Sequence, residues 1–220
     1  MLKVGQEETN KCSVFSTKKW LVKRTNLEEF ENIRQSGKIA ITLNDDDALI
    51  SVKLTDGNSQ VLMCSSEGRM VRFNENEIRI MGRTASGVRG INLTNDICVG
   101  TEISELGKQL LVVTENGYGK KTDIEEYRET KRGSKGVKTI NISEKNGKVI
   151  GFKSTTDEKD IMIITDNGMI IRMDVTNISK MGRVTKGVRL INLKDNSKVA
   201  SISVVDKEEN QEEQIEEETE

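Results

Sequence analysis

The feature that most constrains the fold is a motif that recurs four times at a nearly constant interval. Each copy places a basic loop before a glycine and a short apolar strand after it, and the copies read RQSGKIAITL, RTASGVRGINL, RGSKGVKTINI and RVTKGVRLINL. The loop glycines Gly37, Gly87, Gly136 and Gly187 are 50, 49 and 51 residues apart. A fixed period of about fifty residues is typical of supersecondary units that stack or surround an axis. The repeat therefore predicts one array rather than separate domains.

A second motif with the same period predicts a β-hairpin in each unit. Glu67-Gly68, Asn116-Gly117 and Asn167-Gly168 each separate two apolar runs. Asn-Gly in this setting is typical of a two-residue type I′ turn, in which both residues have positive φ. In the first unit Trp20 occupies the glycine position, so that turn is strained, of another type, or altered.

Strand lengths predict the architecture. In the second unit ALISVKLT, QVLMCSS, RMVRF and VRGINL read as four short strands without helical periodicity. We therefore predict an all-β, propeller-like fold of four-stranded blades. The predicted units span residues 1–46, 47–96, 97–147 and 148–197, with a final strand at 198–205. The array then begins within a blade and ends with a spare strand, and the sequence leaves open whether the four blades close into a ring.

The charge of the chain is unevenly distributed. The formal net charge is −2, but the segment DKEENQEEQIEEETE at 206–220 carries −8, which leaves +6 on residues 1–205. Such an acidic segment, with few apolar residues, predicts a disordered tail. A basic body with an acidic tail indicates a polyanionic partner and an internal competitor for it, and the alternative is a tail that only aids solubility.

Lysine and arginine recur at equivalent positions of the repeat. Cations stand four residues beyond each hairpin turn, three or four residues before each loop glycine, and at positions adjoining or two residues beyond it. A periodic basic stripe suits duplex DNA, because Lys and Arg release counterions from its phosphates. Nothing resembles a recognition helix or a base-stacking platform, so the predicted contact does not read sequence. The candidate DNA-binding residues are Lys23, Arg24, Arg34, Lys38, Arg72, Arg83, Arg89, Lys120, Lys121, Arg132, Lys135, Lys138, Arg172, Arg183, Lys186 and Arg189.

Other classes of function find little support in the residues. The chain has no histidine, and hence no His-based triad or His metal ligand, and it has no GxxxxGK[ST] phosphate loop. Asp45-Asp46-Asp47 lacks the spacing of a calcium loop and is typical of a turn. We expect no catalytic residue, metal, cofactor or small-molecule substrate. No run is long and apolar enough to span a membrane, and the first residues do not resemble a signal peptide.

The cysteine pattern indicates the redox compartment. Cys12, Cys64 and Cys98 are odd in number, isolated from one another and placed in strand-like runs. These features predict buried free thiols in a reducing cytoplasm rather than disulfides or a zinc site.

Several segments together resemble the C-terminal DNA-wrapping domain of the DNA gyrase A subunit, over about residues 1–205. They are MGRTASGVRGINL, TENGYGKKT, KRGSKGVKTINI, ITDNGMIIRM and MGRVTKGVRLINL. The resemblance implies a six-bladed β-pinwheel whose neighbouring blades exchange strands, of which these units look like the last four. It also implies that a basic outer edge wraps duplex DNA and so supports ATP-dependent negative supercoiling by a bacterial, cytoplasmic, nucleoid-associated enzyme. The partners implied are the gyrase A core and the gyrase B subunit.

Two departures from that family, and two alternatives to it, accompany the resemblance. The heptapeptide QRRGGKG and the domain that carries the family's catalytic tyrosine are absent from this sequence, and Tyr118 and Tyr127 inherit no catalytic role. One alternative is the corresponding domain of the topoisomerase IV A subunit. The other is a protein-binding β-propeller, although WD-type blades carry a Gly-His…Trp-Asp signature and this chain lacks histidine.

Overall fold

Short apolar runs separated by Gly, Asn and Asp turns produce strands along the whole described chain. The computed structural model describes residues 11–33, 35–103, 109–194 and 196–207. The first eight strands are β1 (Cys12–Thr17), β2 (Leu21–Asn26), β3 (Leu49–Thr55), β4 (Gln60–Ser65), β5 (Arg69–Asn74), β6 (Val88–Arg89), β7 (Cys98–Ile103) and β8 (Gln109–Thr114). The others are β9 (Tyr118–Asp123), β10 (Val137–Lys138), β11 (Val149–Thr155), β12 (Lys159–Thr165), β13 (Ile170–Asp174), β14 (Val188–Arg189) and β15 (Val199–Asp206).

The only helices within these residues are short 3-10 turns that follow the second strand of each hairpin. They span Leu27–Phe30, Glu75–Glu77, Ile124–Glu126 and Val175–Asn177. In two of them the preceding residue, Asn74 or Asp174, accepts a hydrogen bond from the backbone two residues on and so caps the turn.

Four antiparallel sheets are built around the four predicted hairpins, which confirms the all-β, propeller-like prediction. Sheet 1 has the order β3-β1-β2-β6, sheet 2 β7-β4-β5-β10, sheet 3 β11-β8-β9-β14 and sheet 4 β15-β12-β13. The first strand of each hairpin pairs with the next long strand of the chain, which is β3, β7, β11 or β15. In sheets 1 to 3 the second strand of the hairpin pairs with a two-residue strand from the basic loop of the following unit, which is β6, β10 or β14.

This pairing exchanges strands between repeat units. The outer runs of the second predicted unit, β3 and β6, pair with β1 and β2 of the first unit rather than with their own hairpin. The sheets therefore do not coincide with the sequence units, and the exchange expected from the resemblance is present. The exact boundaries of the predicted units stay a prediction.

The two edge strands of a sheet differ in position, one toward the centre of the molecule and one at the outside. Strands β3, β7, β11 and β15 contact one another in succession, so they lie toward a common centre, and β6, β10 and β14 lie at the opposite, outer edge. Three apolar clusters contain residues of neighbouring sheets, as where Val14 and Val22 pack with Phe73. The run Val61–Cys64 is fully buried.

The hairpin turns differ from the predicted type. Gly68, Gly117 and Gly168 have φ of 74°, 78° and 84°, but the residues before them do not have positive φ. The type I′ prediction is therefore wrong, because only the glycine of each pair is left-handed. Trp20 adopts the same conformation, with φ 64°, and its N–H donates to the Thr17 carbonyl at 3.0 Å as Gly68 N–H donates to Ser65. Of the three alternatives for Trp20, the strained turn is observed, since a bulky residue rarely adopts this region.

The remaining sequence expectations concern cysteines, aspartates and the tail. Cys12, Cys64 and Cys98 are buried and free as predicted, and burial raises the pKa of the Cys98 thiol to about 12. Asp47 Oδ1 accepts from the Lys19 and Ala48 N–H groups and stabilises a turn. Strand β15 includes Asp206, and the tail from residue 208 lies outside the described residues.

The described residues contain neither a metal-binding cluster nor a membrane-spanning helix. No cluster of three or more Cys, Asp or Glu side chains there is arranged to hold a metal ion. No helix there has the length and apolarity needed to cross a membrane.

Candidate nucleic-acid interface

The basic motif forms a series of loops at the outer edge of the sheets, here called the rim loops. Rim loops 2, 3 and 4 are residues 82–93, 131–142 and 182–193, and each contains one of the outermost strands β6, β10 and β14. The corresponding segment of the first unit, residues 35–43, is rim loop 1 and forms no strand.

Close backbone contact explains the loop glycine in rim loops 2 to 4. Gly136 has φ 67°, and a Cβ at this position would lie 2.3 Å from the Met70 carbonyl oxygen in β5. At Gly87 the corresponding distance, to the Val22 carbonyl oxygen in β2, is 2.7 Å. Only glycine lets the loop approach the hairpin closely enough for its next two residues to pair.

The arginines four residues before each loop glycine link successive rim loops. A guanidinium NH1 group donates in each case to a carbonyl of the preceding loop: Arg83 to Ile39 at 2.9 Å, Arg132 to Arg89 at 2.5 Å and Arg183 to Lys138 at 3.0 Å. Backbone bonds support the same connections, from Asn92 to Ser134 and from Asn141 to Thr185, both at 2.9 Å. The four rim loops thus form one continuous belt.

The cations two residues after the glycines project from this belt. Arg89, Lys138 and Arg189 each end a two-residue strand and are exposed, as are Lys135 and Lys186 next to the loop glycines. Within the described residues, the side chains of Arg89, Lys135, Lys138 and Lys186 make no hydrogen bond or ion pair. These five residues are exposed members of the predicted basic stripe, and their contact with DNA stays a prediction.

Arg189 differs because a tyrosine orders it. Its guanidinium lies 5.6 Å from the centroid of the Tyr118 ring and donates to the Tyr118 hydroxyl at 3.1 Å. The Lys145 ammonium lies 5.8 Å from the same centroid. The hydrogen bond from Arg189 lowers the pKa of Tyr118.

Two cations near the belt were not among the residues that the internal repeats predicted. Arg69 pairs in register with Lys138, and Lys145 approaches Tyr118 from the turn before β11. Neither recurs in other units, so repetition gave no signal for them.

The cations four residues beyond each hairpin turn all have partners within the protein. Arg24 NH1 lies 3.2 Å from Glu75 Oε2 and 2.9 Å from Asn76 Oδ1, and the Glu75 side chain is fully buried. Arg72 NH1 donates to the carbonyls of Ile124 and Tyr127 at 3.2 and 3.3 Å. These two contacts connect a hairpin to the 3-10 turn of the next unit.

The corresponding cations in the last two units also have internal partners. Lys121 Nζ lies 2.7 Å from Asp157 Oδ1, and Arg172 Nε lies 2.7 Å from Asp160 Oδ2. DNA contact by Arg24, Arg72, Lys121 and Arg172 stays a prediction that the internal contacts do not favour.

Lys23 and Lys120 are the most enclosed of the predicted site residues, with no exposed surface. The Lys120 ammonium donates to the carbonyls of Gly182 and Arg183 at 2.5 and 2.6 Å. The Lys23 ammonium donates to the carbonyl of Ala40 at 2.5 Å and to that of Arg83. Burial lowers the pKa of each to about 8.

The internal repeat contained a signal for this burial. Val71 and Ile171 occupy the same hairpin position in the second and fourth units, which marks it as apolar. Of the other predicted residues, Lys38 donates to the Glu31 carbonyl, and Arg34 lies outside the described residues.

Known proteins similar to this chain include a family whose model matches four successive segments, one for each repeat. A family described as the DNA gyrase C-terminal domain, a beta-propeller, matches residues 17–56, 59–104, 108–156 and 159–206. The DNA gyrase A subunit of Ureaplasma parvum serovar 3 is 49% identical over 191 residues, which cover 86% of this chain and 23% of that protein. The DNA gyrase A subunit of Staphylococcus aureus strain MRSA252 is 45% identical over 214 residues, 94% of this chain and 24% of that protein. The chain thus spans about a quarter of the length of these relatives.

Two solved structures share the fold. The C-terminal domain of DNA topoisomerase IV has a TM-score of 0.88 at 26% identity, covering 100% of this chain and 70% of that one. A DNA gyrase A C-terminal domain has a TM-score of 0.82 at 24% identity, covering 92% and 72%.

Proposed function

Because the chain belongs to the DNA gyrase C-terminal domain family, we propose that it binds duplex DNA through the exposed cations of rim loops 2 to 4. The observation that carries this proposal is the recurrence of Arg89, Lys138 and Arg189 at the exposed ends of β6, β10 and β14. Bonds between the rim loops fix the relative placement of these cations. A preorganised row of positive charge suits a partner whose phosphates are regularly spaced.

The contact is proposed to be independent of base sequence. Arg and Lys on two-residue strands reach phosphate oxygens without an element that could enter the major groove and read base edges. Phosphate contacts would orient a duplex along the belt. The curvature of the belt would favour bending or wrapping of that duplex.

A titration by fluorescence anisotropy tests the proposal. Two duplexes of equal length and unrelated sequence should bind with similar affinity. If the five exposed cations Arg89, Lys135, Lys138, Lys186 and Arg189 each neutralise one phosphate, log affinity should fall with log salt at a slope of about −4.5, from about 0.9 per phosphate. A strong preference for one duplex, or an affinity independent of salt, would contradict the proposal.

In the whole protein, we propose that this part supports negative supercoiling with the gyrase A core and gyrase B in the bacterial cytoplasm. Its similarity to curated gyrase A subunits supports this assignment. Wrapping is tested by closing nicked plasmid in the presence of the chain and then removing the protein. Constrained supercoils should remain in proportion to the chain added, and their absence would limit the role to DNA contact.

The A subunit of topoisomerase IV is the second candidate, favoured by the TM-score of 0.88 to the C-terminal domain of that enzyme. The two candidates differ in the core that the chain joins. Preferential binding of the chain to a gyrase A core over a topoisomerase IV core, measured by calorimetry, would support the first candidate, and the reverse preference would support the second.

A further inference from the structure

Two buried lysines contact the basic belt from beneath, in alternate sheets. Lys120 in β9 donates to the carbonyls of Gly182 and Arg183 in rim loop 4. Lys23 in β2 donates to the carbonyl of Arg83 in rim loop 2 and to that of Ala40 in rim loop 1. In both cases the lysine bonds the backbone of the arginine whose guanidinium links that loop to the preceding one.

The other two sheets show that this position does not require a lysine for folding. Val71 in β5 and Ile171 in β13 occupy it, and Val71 is fully buried. An ammonium group is costly to bury unless it is well paired, and an aliphatic side chain is not. The presence of lysine is therefore better explained by the rim-loop carbonyls that it binds than by a contribution to the stability of the fold.

Rim loop 3 lies over Val71 and is fixed in another way. Arg132 makes two carbonyl contacts, Nε to Glu77 at 3.2 Å and NH1 to Arg89 at 2.5 Å. Arg83 and Arg183 each make one carbonyl contact. A buried ammonium thus accompanies the loops whose arginine makes fewer such contacts.

We propose that Lys23 and Lys120 are positioning residues that hold rim loops 2 and 4 in the conformation that presents Arg89 and Arg189 to DNA. The proposal rests on the proposed function, since it assigns a role within the same interface. Each ammonium offers three N–H donors and no acceptor, which suits two convergent carbonyls in a dry site. In sheet 1 the Lys23 ammonium also lies 5.4 Å from the centroid of the Phe15 ring, which favours the charged form.

The charges that face these lysines allow a test by pH. Arg83 and Glu29 act on Lys23, and Arg183 and Glu126 act on Lys120, with burial as the largest cause of the lowered pKa. Because the pKa of each lysine is about 8, the ammonium loses its charge within an accessible range. The guanidinium groups of Arg89 and Arg189 keep theirs.

The experiment compares the full chain with Lys120→Met, Lys23→Met and the double variant, with Ile171→Met as the matched control. Amide hydrogen exchange followed by mass spectrometry reports each rim loop, and fluorescence anisotropy at low salt reports duplex affinity. We expect Lys120→Met to raise exchange in rim loop 4, Lys23→Met to raise it in rim loops 1 and 2, and neither to alter rim loop 3. Each variant should weaken DNA binding about threefold to tenfold, which corresponds to 1.4 kcal/mol or less. The control should change neither quantity.

The pH profile separates positioning from a purely structural role. Between pH 7 and 9 the affinity of the unsubstituted chain should fall toward that of the double variant, whose own affinity should change little. Unchanged exchange and affinity in the methionine variants would overturn the proposal. So would their unfolding, because Val71 and Ile171 predict tolerance of an aliphatic side chain. If the unsubstituted chain fails to bind DNA, the proposed function fails, and the exchange measurements still decide whether the lysines hold the loops.

Discussion

Two sets of cations recur with the same period in different surroundings. The hairpin cations, four residues beyond each hairpin turn, are Arg24, Arg72, Lys121 and Arg172, and the rim cations, two residues after the loop glycines, are Arg89, Lys138 and Arg189. Arg24 lies against the fully buried Glu75, and Lys121 against Asp157, so these charges connect neighbouring units. Arg89 and Lys138 end two-residue strands at the outer edge and face solvent. The period alone therefore does not distinguish cations that join adjacent units from cations that face solvent.

The arginines before each loop glycine lie between these extremes. Arg132 and Arg183 direct their guanidinium donors to carbonyls of the preceding loop and remain half-exposed. They lie within the belt, and their hydrogen bonds join its successive loops. Loss of such an arginine is expected to affect DNA affinity because it changes the placement of the neighbouring rim cations.

Removing a hairpin cation is expected to cause a large loss of stability. Arg24→Ala leaves the Glu75 carboxylate buried without its ion-pair partner, which should lower the free energy of unfolding by about 3 kcal/mol. The matched change Arg89→Ala, at an exposed position, should alter it by less than about 0.5 kcal/mol. Urea unfolding monitored by circular dichroism gives both values, and equal midpoints for the two variants would remove the distinction between hairpin and rim cations.

Removing the rim cations should produce the largest change in DNA binding. The triple variant Arg89→Ala, Lys138→Ala, Arg189→Ala loses three phosphate contacts, which at about 0.1 M salt corresponds to binding weaker by roughly 500-fold. The slope of log affinity against log salt should become shallower by about 2.7. Fluorescence anisotropy across a salt series measures both.

A control with the same change in charge distinguishes local contact from net charge. Lys148, Lys159 and Lys198 lie outside the rim loops and form ion pairs with Glu67, Asp206 and Glu115. Their triple alanine variant should reduce affinity far less than the rim variant. Equal losses in the two variants would mean that DNA responds to overall charge rather than to the belt.

The sequence predicted the parts of this molecule that depend on repetition and local turn chemistry. Glycine at positions 68, 117 and 168 indicated the hairpins, and the spacing of the loop glycines indicated the repeat. The exchange of β3 and β6 into the preceding sheet followed from the resemblance, because hydrophobic pattern alone does not say which strand pairs with which. The turn type was wrong because left-handed conformation at one residue suffices for the observed turn.

The division of the cations into buried and exposed sets was less accessible to the sequence. Lys120 and Lys121 are adjacent, and each is enclosed by contacts from a different distant segment, 182–183 or Asp157. Strand alternation would have placed one of them outward. Segments more than thirty residues away cover both faces, and no local pattern contains that information.

The last expected effect is the dependence of stability on pH that the buried lysines cause. The pKa of Lys23 and Lys120 is about 8 in the folded protein, below the usual 10.5 that the unfolded chain restores. Between these values the unfolded chain binds more protons than the folded one, so the contribution of these lysines to the free energy of unfolding rises with pH. The double variant Lys23→Met, Lys120→Met should therefore be more stable than the unsubstituted chain at pH 7.5, and the difference should shrink toward pH 10. Lys148 and Lys180 provide the exposed comparison, because Glu67 and Asp123 raise their pKa and confine their effect to higher pH. Their double methionine variant should keep a constant difference over the same range, measured by urea midpoints. A constant difference for the buried pair as well would show that Lys23 and Lys120 titrate as they do in the unfolded chain.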